Sequence, residues 1–89
     1  MKLNYHIDLQ ELGETVVGVV RDKNTQQVVH AYKLNETGAF IVKLINAGLD
    51  EDSIVQHLSE EFSVSAELAM EEAHEFIDML KNKGIIAEE

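Results

Sequence analysis

The chain has 89 residues, room for one small domain, since domains run from roughly 50 to 250 residues. It contains no cysteine, which excludes disulfide staples and thiolate metal or redox chemistry. Its longest strongly apolar run, around Val16–Val20, falls far short of the ~20 residues that cross a bilayer.

Leu3, Tyr5 and Ile7 alternate with Asn4, His6 and Asp8, the period of a half-buried strand, and predict a first strand over residues 3–9. Gly13 then allows a turn. Thr15 to Val20 is β-branched apart from Gly18 and favours extended structure, so a second strand is expected over residues 14–21. The polar cluster Asp22-Lys23-Asn24-Thr25 has the length and chemistry of a hairpin loop. A third strand, with Val28, Val29 and Tyr32, is expected over residues 26–34. The three make an antiparallel meander.

From Asn35 the hydrophobic period changes to that of a helix. Asn35 is an N-cap for residues 36–47, whose Phe40, Ile41, Leu44 and Ile45 fall on one stripe that Gly48 ends. Asp50 caps a second helix over 51–62, with Glu51 and Asp52 in its first turn, where the helix dipole favours them. Its stripe is Ile54, Val55, Leu58 and Phe62. After Ser63 and Val64, Ser65 caps a third helix over 66–83. That helix turns Ala69, Ala73, Phe76, Ile77 and Leu80 inward and carries Glu67, Glu71, Glu75 and Asp78 as a ladder on its other face. Ile85-Ile86-Ala87 fits a short strand or a segment packed across the core.

The fold class that follows is α+β: a single domain over 1–89, winged helix-turn-helix-like, with a three-stranded antiparallel sheet followed by three helices. A DNA-binding version would send the last helix into the major groove. Charge opposes this. Residues 1–49 hold five basic and five acidic side chains, whereas residues 50–89 hold Lys81 and Lys83 against twelve acids, so the whole net charge of −10 sits in the second half. Phosphates need Lys and Arg, and anionic membrane surfaces do too, so neither nucleic acid nor membrane is an expected partner. Residues Met1–His6 do not lead into the apolar stretch of a signal peptide, and the reading is of a soluble cytoplasmic domain.

Catalysis finds no candidate. His6 and His30 lie in predicted strands, and His57 and His74 in predicted helices near Glu60 and Glu61, and Glu71 and Asp78. Such neighbours are ordinary zinc ligands but are more simply helix-surface charge pairs. There is no glycine-rich phosphate loop and no zinc-protease helix motif. No catalytic residue, cofactor or metal is therefore expected, and the chain reads as a non-enzyme. One rival reading comes from Asp52-Ser53-Ile54, which resembles the Asp-Ser-Leu at which acyl carrier proteins attach phosphopantetheine; Ser53 would be the attachment point. Carrier proteins are helical bundles, whereas residues 3–34 here read as strands. A generic protein-interaction module is the other alternative.

The run Leu34-Asn35-Glu36-Thr37-Gly38-Ala39-Phe40-Ile41, then Leu44, Ile45, Gly48, Ile54-Val55, Leu58 and Glu61-Phe62, closing with Phe76-Ile77, Leu80 and Gly84-Ile85-Ile86, resembles the PqqD-like family. Its members are also called RiPP recognition elements, after ribosomally made and modified peptides. The resemblance covers roughly residues 5–86. Val42 stands where the family frequently has an aromatic, and the strand region differs from members dedicated to pyrroloquinoline quinone synthesis.

The resemblance implies a winged helix-turn-helix that holds the leader of a precursor peptide as an extra strand beside the third strand, in a groove walled by the third helix. It would deliver that leader to a peptide-modifying enzyme such as a radical SAM protein, in natural-product biosynthesis. An edge strand suits the task, because its unpaired N–H and C=O groups accept an extended peptide. The edge expected here is Gln27–Lys33, with Val28, Val29, His30, Ala31 and Tyr32 as its contact residues. Val28, His30 and Tyr32 would share one face, and Val29, Ala31 and Lys33 the other. On the third helix Ala69 and Ala73 would leave a trough, and Phe76 and Ile77 would wall it; the alternative is that all four are ordinary core, the reading that suits Phe76 better. Glu71, Glu72 and Glu75 would flank it and favour a leader carrying Lys or Arg. The chain would act as a monomer or a homodimer, since free strand edges also permit self-pairing.

Overall fold

Strands precede helices, as the change of period at Asn35 requires. The elements are β1 (His6–Leu12), β2 (Thr15–Arg21), β3 (Val28–Leu34), α1 (Glu36–Asn46), α2 (Glu51–Phe62) and α3 (Ala66–Asn82). The computed structural model describes residues 1–87, and Glu88 and Glu89 of the expected span lie outside the described residues. The sheet is antiparallel in the order β1-β2-β3.

β1 lies further along the chain than the expected 3–9. Gly13, at φ +67, and Glu14 close a tight turn that pairs Leu12 with Thr15. The ladder therefore runs up to that turn through Gln10 and Glu11, both exposed. Leu3 pairs elsewhere, in an antiparallel bridge with Ile86. The Asn4 N–H donates to the Ile85 carbonyl at 2.9 Å and the Ala87 N–H to the Lys2 carbonyl at 2.9 Å. Ile85 and Ile86 are 0% and 1% exposed, so this segment both pairs and packs across the core.

β3 begins at Val28 rather than at residue 26. Before it, Asp22 organises the loop, its Oδ1 accepting from the Asn24 and Thr25 N–H groups at 2.8 and 2.9 Å, and Gln26 sits in the left-handed region at φ +63. The register then shifts: Val20 lies opposite His30 but Arg21 opposite Val28, leaving Val29 as a bulge. A bulge adds one residue to one strand and flips the alternation beyond it.

All three helices start on the expected side-chain caps. Asn35 accepts from Gly38 N–H, Asp50 from Ser53 N–H and Ser65 from Leu68 N–H. Each removes one orphan donor of a helix N-terminus. After α3, Gly84 turns at φ +75, and the Ile85 N–H donates back to the Leu80 carbonyl at 2.9 Å. That turn returns the two isoleucines to the core.

The core joins Ile7 and Val20 of the sheet to Ile41 and Val42 of α1, Ile54 and Leu58 of α2, and Ile77 and Leu80 of α3. Each such side chain contributes about 1.5–3 kcal/mol by leaving water. Val42, in the place where the resemblance implies an aromatic, is 1% exposed. Asn46 ties α1 to the sheet through an amide donating to the Ile7 carbonyl at 2.8 Å.

Candidate functional site

β3 is an outer strand, so one row of its backbone groups has no partner strand. Its register with β2 sets the faces. His30, Tyr32 and Leu34 lie opposite Val20, Gly18 and Val16 on the side of the helices, whereas Ala31 and Lys33 lie opposite Val19 and Val17 on the outer side. The bulge at Val29 places Val28 opposite Arg21, on the outer side and not with His30 and Tyr32 as strict alternation requires. Val28 and Val29 are 47% and 43% exposed, an unusual exposure for two adjacent β-branched residues on a free strand.

Beside this edge lies a groove. β3 and α3 each pack on α1 but not on one another, so the first turn of α1 forms the floor between them. A recess of about 260 Å³ is lined by Asn35, Thr37, Gly38 and Ile41 on that floor and by Glu72, Glu75, Phe76 and Met79 of α3. A second, also about 260 Å³, continues past Thr37 and Glu72 to Leu58, Phe62, Val64 and Leu68. Where β3 nears the C-terminal end of α3, Lys83 Nζ stands 5.1 Å above the Tyr32 ring, a cation–π distance, and the His30 ring stacks on Tyr32 at 5.5 Å.

The Leu-Asn-Glu-Thr-Gly-Ala run now has a physical account. Leu34 ends β3 over the core, Asn35 Oδ1 accepts from the Gly38 N–H at 2.7 Å, and Gly38 is pressed against its neighbours. A Cβ on Gly38 would stand 3.0 Å from Phe76 Cε1 and 3.2 Å from Asn35 Oδ1. The absent side chain is what lets the Phe76 ring settle onto the floor.

The structure brings together only part of the expected α3 set. Phe76 and Glu72 line the groove. Ala69, Ala73 and Ile77 do not: they are 0%, 0% and 2% exposed. The two alanines leave no trough, because their small side chains let α3 lie close on α2. Glu75 borders the groove with Glu72, but Glu71 lies on the opposite flank of α3, beside Glu51, Asp52, Met70 and His74. Leu68 and Met79 belong to the groove and were not expected there. Their signal was in the sequence, since Leu68, Glu72, Phe76 and Met79 form a second stripe at spacings of four, four and three, beside the core stripe.

The remaining candidates have structural occupations. Ser53 lies in the first turn of α2, where its N–H donates to the capping Asp50 Oδ1 at 2.9 Å and its carbonyl accepts from His57 Nδ1 at 2.8 Å. His74 Nδ1 faces Glu51 of α2 at 3.9 Å, not the carboxylates of its own helix. Among the described residues no three metal-ligating side chains gather, and no helix is long and apolar enough to cross a membrane. The three-stranded sheet is not the helical bundle that the carrier-protein reading requires. Asp22 and Asp50 are held below the usual carboxylate range, Asp22 by the Thr25 and then the Asn24 backbone N–H, Asp50 by the Ser53 backbone N–H.

No curated protein matches the chain in sequence. The solved structure of TbiB1 in complex with the TbiA(beta) leader peptide has the same fold, with a TM-score of 0.74 at 21% identity over 100% of this chain and 98% of that one. The model of the family of coenzyme PQQ synthesis protein D (PqqD) matches residues 18–86, a span that takes in β3 and all three helices and so every element of the groove. By that match the chain belongs to the PqqD family.

Proposed function

We propose that this chain is a non-catalytic adaptor. It holds the leader of a ribosomally made precursor peptide as a fourth strand on β3 and presents it to a modifying enzyme, of which a radical SAM protein is one kind. The observation that carries the reading is the conjunction of a free β3 edge with a recess, next along the chain, between the start of α1 and α3, where Phe76 and Met79 are open. A strand added there gains main-chain hydrogen bonds from β3, and alternate side chains drop toward Phe76 and Met79, which is how edge addition combines affinity with selectivity. Membership of the PqqD family and the shared fold with a leader-bound protein support it.

Two features of the groove describe the peptide it suits. Phe76 and Met79 offer an apolar wall, and Met adapts its shape to different side chains. Glu72 and Glu75 stand on the rim and favour a leader with Lys or Arg beside its apolar residues, since complementary charge raises on-rate and selectivity. The test is an amide-NMR titration with leader segments from short reading frames encoded near this gene. Saturable shifts confined to residues 27–35 and 68–79 are the expected result. A folded protein in which no such segment moves these amides would overturn the reading.

A further inference from the structure

At the end of α3 a single cation comes across to β3. The stripe of Leu68, Glu72, Phe76 and Met79 reaches Lys83 after one further step of four residues. Lys83 is the C-cap of α3, its N–H donating to the Met79 carbonyl at 3.1 Å. Gly84 then turns the chain so that Ile85 enters the core. The backbone of Lys83 is therefore fixed, while its side chain is exposed and its Nζ stands 5.1 Å above the Tyr32 ring. His30, also exposed, stacks on the same ring at 5.5 Å. The charge here is unlike that of the rest of the chain: residues 23–35 contain no Asp or Glu, in a protein of net charge −10. Glu75 and Asp78 share a recess with Lys83, yet among the described residues the ion pairs are Arg21–Asp8 and His74–Glu51, so neither is paired with it.

We propose that Lys83 is a specificity-determining residue, selecting an aspartate or glutamate at the position of the docked peptide that lies beside Tyr32. The proposal rests on the strand-docking reading above and adds a position to it. Tyr32 and His30 lie on the helix side of β3. Directly opposed residues of paired strands share a face, with Cβ atoms about 4.5–5.5 Å apart. The peptide residue beside Tyr32 therefore starts its side chain one such step from Tyr32 and on the same side as the ring. Lys83 Nζ is already at that ring, so a carboxylate there meets the ammonium through rotation of the lysine stem alone. A charge-assisted bond of this kind is roughly twice as strong as a neutral one, and the ring that holds the ammonium lessens the side-chain freedom lost in making it. A basic peptide residue at this position meets Lys83 and His30 with no carboxylate on β3 to offset them. Toward the recess at the start of α1, where Glu72 and Glu75 stand, the preference reverses.

The test uses the whole chain and two short strand-forming probes, acetyl-Val-Glu-Val amide and acetyl-Val-Gln-Val amide, followed by NMR at low ionic strength. The glutamate probe is expected to shift the Lys83 side-chain protons and the Tyr32 ring protons saturably, with the glutamine probe weaker by about tenfold, as befits the loss of a charge-assisted contact. Lys83→Met keeps an apolar stem and removes the charge, and should bring the two probes to equal affinity. Lys83→Arg should keep them apart. The side chain is exposed, so both variants are expected to fold as the parent does. Equal affinity of the two probes for the parent chain, or a preference for glutamate that survives Lys83→Met, would each overturn the assignment. Amides of Val28–Leu34 that move alike with both probes leave strand docking in place and remove the role of Lys83. No response to either probe also removes that role, while strand docking is still judged separately by the leader segments of the titration above.

Discussion

Gly38 of α1 lies directly under Phe76 of α3, with room between the glycine Cα and the ring edge for a hydrogen but not a methyl group: an added Cβ would approach Cε1 to 3.0 Å. One position on the groove floor thus sets the height of the groove wall.

Gly38→Ala should therefore separate stability from binding. Alanine gains up to ~1 kcal/mol of helix propensity over glycine, and the added methyl crowds both the Phe76 ring and the Asn35 cap. These effects oppose one another, and Phe76 is only half-buried, so its ring can move outward into the groove. Thermal unfolding should shift little, within about 1 kcal/mol, while titration calorimetry with a bound leader should show a loss of about tenfold in affinity, equivalent to ~1.4 kcal/mol. A large drop in stability with unchanged affinity would mean that the ring does not yield toward the groove.

The same helix supplies a contrast. Ala73 is 0% exposed, and Ala73→Leu overpacks the α2–α3 contact, with an expected cost of about 1–3 kcal/mol in chemical denaturation. Phe76→Ala should cost less than the ~3–5 kcal/mol of a fully buried phenylalanine, yet should weaken leader binding more than any other single change on α3.

Charge on the rim is asymmetric across α3. Glu72→Gln with Glu75→Gln should slow leader association by about tenfold at low ionic strength and flatten its salt dependence, measured by stopped-flow. Glu71→Gln, which changes the flank facing α2, should leave both unchanged at matched ionic strength. If all three substitutions acted alike, the effect would come from net charge and not from the groove.

Acid should loosen the hairpin loop and the start of α2. Asp22 and Asp50 have folded-state values below their ordinary 3.8, so their contribution is complete above that value and is lost as pH falls through it toward the lowered one, where the folded state must take up protons it resists. Asp50→Asn keeps a capping acceptor without a titrating group. Its stability relative to the parent chain should therefore improve as pH drops below about 4, read from urea midpoints at several pH values. A constant difference between the two proteins would contradict the lowered value of Asp50.

The sequence disclosed most where the chemistry is local. Asn35, Asp50 and Ser65 announce helix starts because a cap bonds a backbone N–H only three residues on. The strand order follows from turns short enough to permit only neighbours. Long-range pairing was less legible. The alternation of Leu3, Tyr5 and Ile7 suits a strand from Leu3, but Leu3 is claimed by Ile86, over eighty residues away. The bulge at Val29 carries no residue signature, and with it went the placement of Val28. On α3, small inward residues suit a trough or a tight helix contact equally. Only the position of α2 decides, and it assigns Ala69 and Ala73 to the contact. Leu68, Phe76 and Met79 were visible as apolar residues of a second stripe that Glu72 interrupts, which a helix with a single buried face does not need.

The pairing of residues 2–4 with residues 84–87 has an architectural consequence. Lys2, Leu3 and Asn4 are stitched to Ile85, Ile86 and Ala87 by backbone contacts, so the chain enters and leaves the fold at one spot. Units whose ends meet are readily inserted into a surface loop of another protein. Such an insertion would splay neither end, and the β3 edge would stay open. The same unit can thus stand alone or sit within a surface loop of a larger protein, and in the second arrangement the tether itself would keep a peptide bound on β3 at high local concentration.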